Sequence, residues 1–185
     1  ADALENLALA HRRLGERVEA REAWDRAGQM YREIGDLAGA EWAAFDAAIS
    51  VDGADRKERC EALMARAAAE GLPGIAAYAR CLLGTAYIQL EQYGPGAEHL
   101  EAALPTAREM GNSHYLGAFY EDLGRARLEL GDPAAAEIAY REAVRVFDAI
   151  GRPDVSAKTL RLVAEVQWRT GKQDEALETL RTSRD

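Results

Sequence analysis

The sequence predicts an all-α fold, a right-handed α-α superhelix (an α-solenoid) of about five antiparallel helix pairs. Three observations carry that expectation. First, a bulky side chain recurs at Trp24, Cys60, Leu100, Tyr140 and Leu180, in steps of 36, 40, 40 and 40 residues. Second, fixed partners accompany it. Sixteen residues upstream stand Ala8, Ala44, Gly84, Gly124 and Ala164; four upstream stand Ala20, Arg56, Gly96, Ala136 and Ala176; three downstream stand Ala27, Leu63, Ala103, Ala143 and Ser183. Self-similarity at such a period marks a stack of one supersecondary unit. Third, the period within a unit is helical: Leu4, Leu7, Ala8 and Leu14, then Val18, Ala20, Trp24, Ala27, Tyr31 and Ile34, keep three-and-four spacing. Period-two alternation is absent, so no strand is expected.

The elements follow in order from their punctuation. Gly15, Gly131 and Gly171 are placed to close first helices, and Gly35, Gly71, Gly111 and Gly151 to close second helices. Asp132-Pro133 reads as an N-cap and a first helical residue, with Gly94-Pro95 and Pro153-Asp154 as similar starts. The expected helices are 3–14, 17–33, 37–51, 55–70, 73–90, 95–110, 113–130, 133–150, 154–170 and 173–183. Connections of two to five residues make neighbours antiparallel. With no linker or low-complexity segment, residues 1–185 are expected to form one domain, with repeats at about 1–36, 37–72, 73–112, 113–152 and 153–185. The chain begins with Ala rather than Met, so it is expected to be a fragment of a longer protein.

Small residues recur because two helices approach closely only where side chains are small. Ala8 with Ala20, Gly84 with Gly96, Gly124 with Ala136 and Ala164 with Ala176 are the expected crossings, and the bulky residue fills the wedge to the next pair. Gly in a helix interior costs about 1 kcal/mol relative to Ala, so Gly84 and Gly124 argue for a packing requirement.

Composition excludes several classes of function. The chain is 48% apolar and 30% charged, too apolar for disorder and too charged for a membrane span. No stretch approaches the roughly 18 apolar residues a span requires. A net charge of −9 argues against a nucleic-acid partner. Two Cys form no disulfide framework, which suits a cytoplasmic location. His11, His99 and His114 are scattered without metal-ligand spacing. No Gly-x-Ser-x-Gly turn occurs, and no Gly-Lys-Ser/Thr follows Gly94-Pro95-Gly96. Neither an enzyme, a cofactor nor a metal is therefore expected. Cys60 and Trp24 read as core. Cys81 reads as a structural thiol or a groove residue, and nearly all acids read as solvated helix face.

The runs Leu123-Gly124, Gly131, Ala136, Tyr140, Ala143; Leu83-Gly84, Tyr87, Leu100, Ala103; and Leu7-Ala8, Gly15, Ala20, Trp24, Ala27 resemble the tetratricopeptide repeat (TPR). The usual repeat is 34 residues; here the unit is mostly 40, resembling the long-repeat variety of kinesin light chains, spindle-orientation adaptors and large bacterial transcriptional regulators. The second unit drifts: Val51 stands for the turn Gly, Arg56 for the small residue and Ala47 for the aromatic.

The resemblance implies that first helices line a concave face that binds a peptide or helix of a partner. By position it assigns to that groove Trp42, Phe45, Ile49, Tyr78, Cys81, Thr85, Ile88, Glu121, Arg125, Lys158, Arg161 and Trp168, with Glu41, Asp122, Glu165 and Arg169 among their neighbours. The middle of that list is apolar and its fifth repeat basic; the alternative for Trp42 and Phe45 is packing between helices. The carboxylate clamp of chaperone-binding members is absent, because its positions hold Glu5, Glu41, Cys81 and Glu121. A protein-interaction scaffold is the expected function. The alternative is a sensor or autoinhibitory segment of a bacterial regulator, which the Arg-rich, Lys-poor composition suits (only Lys57, Lys158 and Lys172 among 23 bases). Leu4 and Leu7 at one end, and Ala176, Leu177 and Leu180 at the other, are expected to support self-association through the terminal helices.

Overall fold

The structure, a computed structural model, describes residues 1–111 and 113–183, with the side chain of Ser113 left out. The expected repeat boundary at 112 and the chain's end at Asp185 lie outside the described residues. Ten helices, and no strand, are found among the described residues: α1 (Asp2–Leu14), α2 (Arg17–Glu33), α3 (Leu37–Ile49), α4 (Gly53–Ala69), α5 (Pro73–Gln89), α6 (Tyr93–Glu109), α7 (Ser113–Glu129), α8 (Pro133–Ala149), α9 (Pro153–Arg169) and α10 (Gln173–Thr182). The chain divides into two compact units, Ala1–Leu90 with α1–α5 and Glu91–Asp185 with α6–α10. Within each unit every helix packs against its neighbour in sequence, and α3 also touches α5.

The turns are those the glycines require. Gly15, Gly131 and Gly171 have φ of 81°, 80° and 81°, the left-handed conformation that L side chains resist. Asp132 accepts a hydrogen bond from the Ala135 amide at 3.0 Å and Pro133 opens α8, as the dipeptide predicts. In the third repeat the same turn position is Glu91, held at φ 59° although not glycine.

The second repeat solves the turn differently. Val51 is β-branched and does not adopt a positive φ. Helix α3 therefore stops at Ile49 rather than at 51, and the positive φ moves to Gly53 (58°). The helix end that a left-handed cap would have closed is closed by a side chain instead. Buried Arg56 donates from Nη2 to the Ile49 carbonyl at 2.9 Å and from Nε to the Ala48 carbonyl at 3.3 Å; its Nη1 reaches Gln89 Oε1 at 2.8 Å. Arg56 occupies the small-residue position of the other repeats, so its departure from the pattern compensates for that of Val51.

Packing follows the repeat. In the first unit Trp24 joins Ala8, Ala23, Ala27, Ala43 and Ala47, bridging α1, α2 and α3. In the second, Tyr140 of α8 joins Ala136 and, from α9, Val163 and Val166. Each bulky residue thus fills the wedge between one pair and the next. Gly124 shows why its position is small: a Cβ there would lie 2.6 Å from the Tyr140 ring. Gly117 has the same relation to Phe147, at 2.5 Å. Gly124→Ala is expected to cost roughly 1–3 kcal/mol, as overpacking a close-packed site does. Gly94→Ala, where a Cβ meets nothing within 4 Å in the first turn of α6, is the control expected to cost nothing and to raise stability by at most about 1 kcal/mol. Urea titration of both variants checks the pair.

Candidate functional site

In the first unit the candidate groove positions turn inward. Phe45 and Tyr78 are buried, and half-buried Trp42 joins them in a triad of edge-to-face rings with centroids 5.5 Å (Trp42–Phe45), 5.4 Å (Trp42–Tyr78) and 6.0 Å (Phe45–Tyr78) apart. Such geometry follows from the ring quadrupoles. Cys81, Thr85 and Ile88 are buried too; Ile49 keeps part of its surface. Burial pushes the Cys60 and Cys81 thiols up to about 12, so neither is a thiolate at neutral pH. The structure corrects the sequence reading here. Phe45, Tyr78, Cys81, Thr85 and Ile88 present almost no surface to a partner, because the aromatic side chains of adjacent first helices fill the space between them.

Glu41 is a second correction. It sits at a groove position by the repeat, yet it is fully buried. Arg32 pairs with its Oε1, and Arg66 donates to it from Nε at 3.2 and 3.3 Å and from Nη2 at 3.1 Å. Both guanidinium groups keep contact with solvent while neutralising the carboxylate, which is the condition for burying it. The pairing ties α2, α3 and α4 together. Partners nine and twenty-five residues away follow no spacing rule, so sequence gave no signal for it.

In the second unit the candidates stay at the surface. Arg125 and Lys158 are exposed, and Glu121 and Asp122 are partly so. Arg125 pairs with Asp122 at 3.3 Å and Arg169 with Glu165. Thr159 of α9 donates its hydroxyl to Glu121 of α7. Lys158 and Arg161 lie on the same helix without a carboxylate partner among the described residues. Leu162, like Leu128, is half-buried and packs against the cluster of Tyr140, Val163 and Val166, leaving part of its surface exposed.

The repeat register separates two faces of α9. Ala118 and Arg125, one 40-residue period before Lys158 and Glu165, stay exposed even though Thr159 of α9 reaches Glu121 of α7. They mark the open edge. Leu128, one period before Trp168, is instead packed against the cluster of Tyr140, Val163 and Val166. Trp168, one period after Leu128, is 55% exposed, and Arg161, one period after the half-buried Glu121, is exposed as well. The open edge consists of Asp122, Arg125 and Glu129 on α7 with Lys158, Leu162, Glu165 and Arg169 on α9.

One polar centre escaped the sequence reading. Glu137 of α8 accepts from Lys172 Nζ at 2.9 Å, Arg141 Nη2 at 2.9 Å and Gln167 Nε2 at 3.0 Å, joining α8 to the end of α9. Buried Gln167 accepts in turn from Thr179 at 2.9 Å.

The family model of the tetratricopeptide repeat matches residues 118–148. No curated protein sequence matches the chain. A crystal structure of Rap protein complexed with competence and sporulation factor resembles it with a TM-score of 0.75 at 15% identity, over 95% of this chain and 50% of that one. A putative kinesin light chain from Podosopora anserina, with nearly identical TPR-like repeats, resembles it with a TM-score of 0.68 at 18% identity, over 99% of this chain and 92% of that one. A signal transduction ATPase with numerous domains and a tetratricopeptide repeat sensor, from Pyrococcus horikoshii, resembles it with a TM-score of 0.68 at 15% identity, over 100% of this chain and 30% of that one. The chain thus spans half the length of the Rap protein. At these identities the likeness shows the fold, which is that of tetratricopeptide-repeat proteins.

Two expectations follow. Tyr78→Ala should lower stability by roughly 3–5 kcal/mol, the range for truncating a buried aromatic ring, with chemical denaturation as the check. The carboxylates should respond to pH with opposite signs. Burial holds Glu121 above the usual carboxylate range, against the Thr159 hydrogen bond. It therefore favours folding below its unfolded pKa, and that contribution is lost as pH rises through its folded pKa. Burial would raise Glu137 too, but hydrogen bonds from Lys172, Arg141 and Gln167 hold it lower on balance. Its stabilisation is present above its unfolded pKa and is lost as pH falls through its folded pKa. Calorimetry should show Glu121→Gln raising Tm at neutral pH and Glu137→Gln lowering it, with both differences shrinking in acid.

Proposed function

Starting from a tetratricopeptide-repeat fold, we propose that this chain is a protein-interaction scaffold rather than an enzyme, and that a peptide segment of its partner lies along the open edge of α7 and α9. One observation carries the reading: the unspent charge of that edge. Asp122 and Glu165 are engaged by Arg125 and Arg169, and Glu121 by Thr159, whereas exposed Lys158, early in α9, has no carboxylate partner among the described residues; Glu129, the acid of the edge with no cation partner among them, is the last residue of α7. Leu162 offers apolar contact within the same edge. A segment carrying Asp or Glu next to an apolar side chain is complementary to this surface. Trp42 and Ile49, half-buried on α3, are the remaining apolar contacts among the sequence-derived groove positions.

A setting in the bacterial cytoplasm agrees with this reading. Cys60 and Cys81 are free and buried, and no helix of the described residues is long and apolar enough to cross a membrane. A second reading, a sensor segment of a larger regulator, is favoured by the TPR sensor named in the ATPase and by the factor bound to Rap. Panning a phage-displayed random peptide library against the chain tests the first reading. Recovered peptides should be enriched in acidic residues. Lys158→Glu and Arg125→Glu should each weaken them about tenfold, or about 1.4 kcal/mol. Basic consensus peptides, or acidic ones indifferent to both substitutions, would overturn it.

A further inference from the structure

Gly28 stands in the interior of α2 at a place where the later repeats carry Met64, Leu104 and Val144. Glycine there destabilises a helix relative to alanine, and packing does not require it. A Cβ on Gly28 would lie 3.4 Å from the Ala40 carbonyl oxygen and 3.6 Å from the Ala43 Cβ, ordinary contact distances and unlike the 2.6 Å at Gly124. Beside Gly28 is a cleft of about 260 Å³, walled by the Trp24 side chain and by Ala40 and Ala44 of α3. Two ion pairs, Asp25–Arg59 at 3.0 Å and Arg32–Glu70 at 3.8 Å, tie α2 to α4 and to the residue that caps it.

The polar groups around this cleft are mostly donors. Buried Trp24 has no partner for its indole Nε1, and a buried donor left unpaired is costly. Arg66 lines the cleft and spends Nε and Nη2 on Glu41; Arg32, also in the lining, spends Nη2 on the same carboxylate. Each guanidinium keeps further N–H groups. Gln29 adds its exposed amide. The carboxylate in the lining, Asp25, is already engaged through both oxygens by Arg59.

We propose that the cleft binds a small monocarboxylate, which accepts from Trp24 Nε1 and from Arg32 and Arg66. A guanidinium fork matches a carboxylate, and the Trp24 ring with Ala40 and Ala44 accommodates a short carbon chain. Glu41 already offsets one of the two positive charges and Glu70 stands near Arg32, so a singly charged group fits where a phosphate dianion does not. The carboxylate comes from a free acid or from the C-terminus of a partner's peptide; the chemistry recognised is the same. The cleft shares no residue with the open edge of α7 and α9, and the inference does not depend on a peptide binding there.

The indole N–H signals of the three Trp residues test this in a proton–nitrogen correlation spectrum, with Trp24 assigned by Trp24→Phe. Propionate should move the Trp24 signal downfield in a saturable way and leave those of Trp42 and Trp168 in place. Propionamide and inorganic phosphate should not. Tetra-alanine, free or amidated at its C-terminus, separates the sources: a shift with the free form alone assigns the peptide end, and no shift with either assigns the free acid. Gly28→Leu, which places here the residue found at Leu104, should abolish the shift while the circular dichroism spectrum stays helical. Gln29→Glu, at an exposed position, should weaken binding about fivefold, as one like charge beside the site does in water. A Trp24 signal that tens of millimolar propionate leaves in place would overturn the proposal. So would propionamide or phosphate acting equally, or binding that survives Gly28→Leu and Gln29→Glu unchanged.

Discussion

The close approach of Gly124 to the Tyr140 ring is the contact on which the second unit depends. A first helix lies tightly against its partner only where a side chain is missing, and the ring that covers the gap then projects toward the next pair. One contact therefore fixes the spacing within a pair and between pairs. That explains why the small and bulky positions recur together at a set separation. Left-handed glycines at Gly131 and Gly171 hold the turns that bring these positions face to face. In the first unit Ala8 and Trp24 fill the corresponding positions in one cluster.

Departures from the pattern are informative because they occur in compensating sets. Val51 removes the left-handed turn, α3 ends early, and Arg56 satisfies the carbonyls left open. A buried guanidinium is costly unless its donors are used, and here Ala48, Ile49, Asp52 and Gln89 use them. Glu41 belongs to the same logic with the sign reversed: a buried carboxylate supplied with donors by Arg32 and Arg66. These two residues give the second repeat polar joints where the fourth has an aromatic ring over a glycine.

The helices and turns were legible in the sequence because they depend on local chemistry and period. Helix ends fell within two residues of expectation, and Gly15, Gly131 and Gly171 adopted the predicted conformation. The candidate site was legible only in part. Position within a repeat names the face a side chain starts from, and Lys158 and Arg125 are exposed. Whether a neighbour covers that face depends on side-chain size in the next repeat, which a single register position does not encode. Phe45 and Tyr78 are both large and adjacent, so they fill the space they were expected to line. The Glu41 centre and most of the Glu137 centre were invisible for another reason: Arg32 and Arg66, and Gln167 and Lys172, come from other elements at separations no spacing rule covers, and only Arg141, four residues after Glu137, follows one.

Helices α7 and α9 each carry two stripes with opposite fates. Thr159, Val163 and Val166 on α9 are buried, while Lys158 and Glu165 on neighbouring positions remain open. Thr159 directly follows Lys158, yet rotation about the helix axis places them on different faces. This proximity makes the two properties separable by substitution. A change on the open stripe alters what a partner meets and leaves the stack intact; a change on the buried stripe disturbs the stack first.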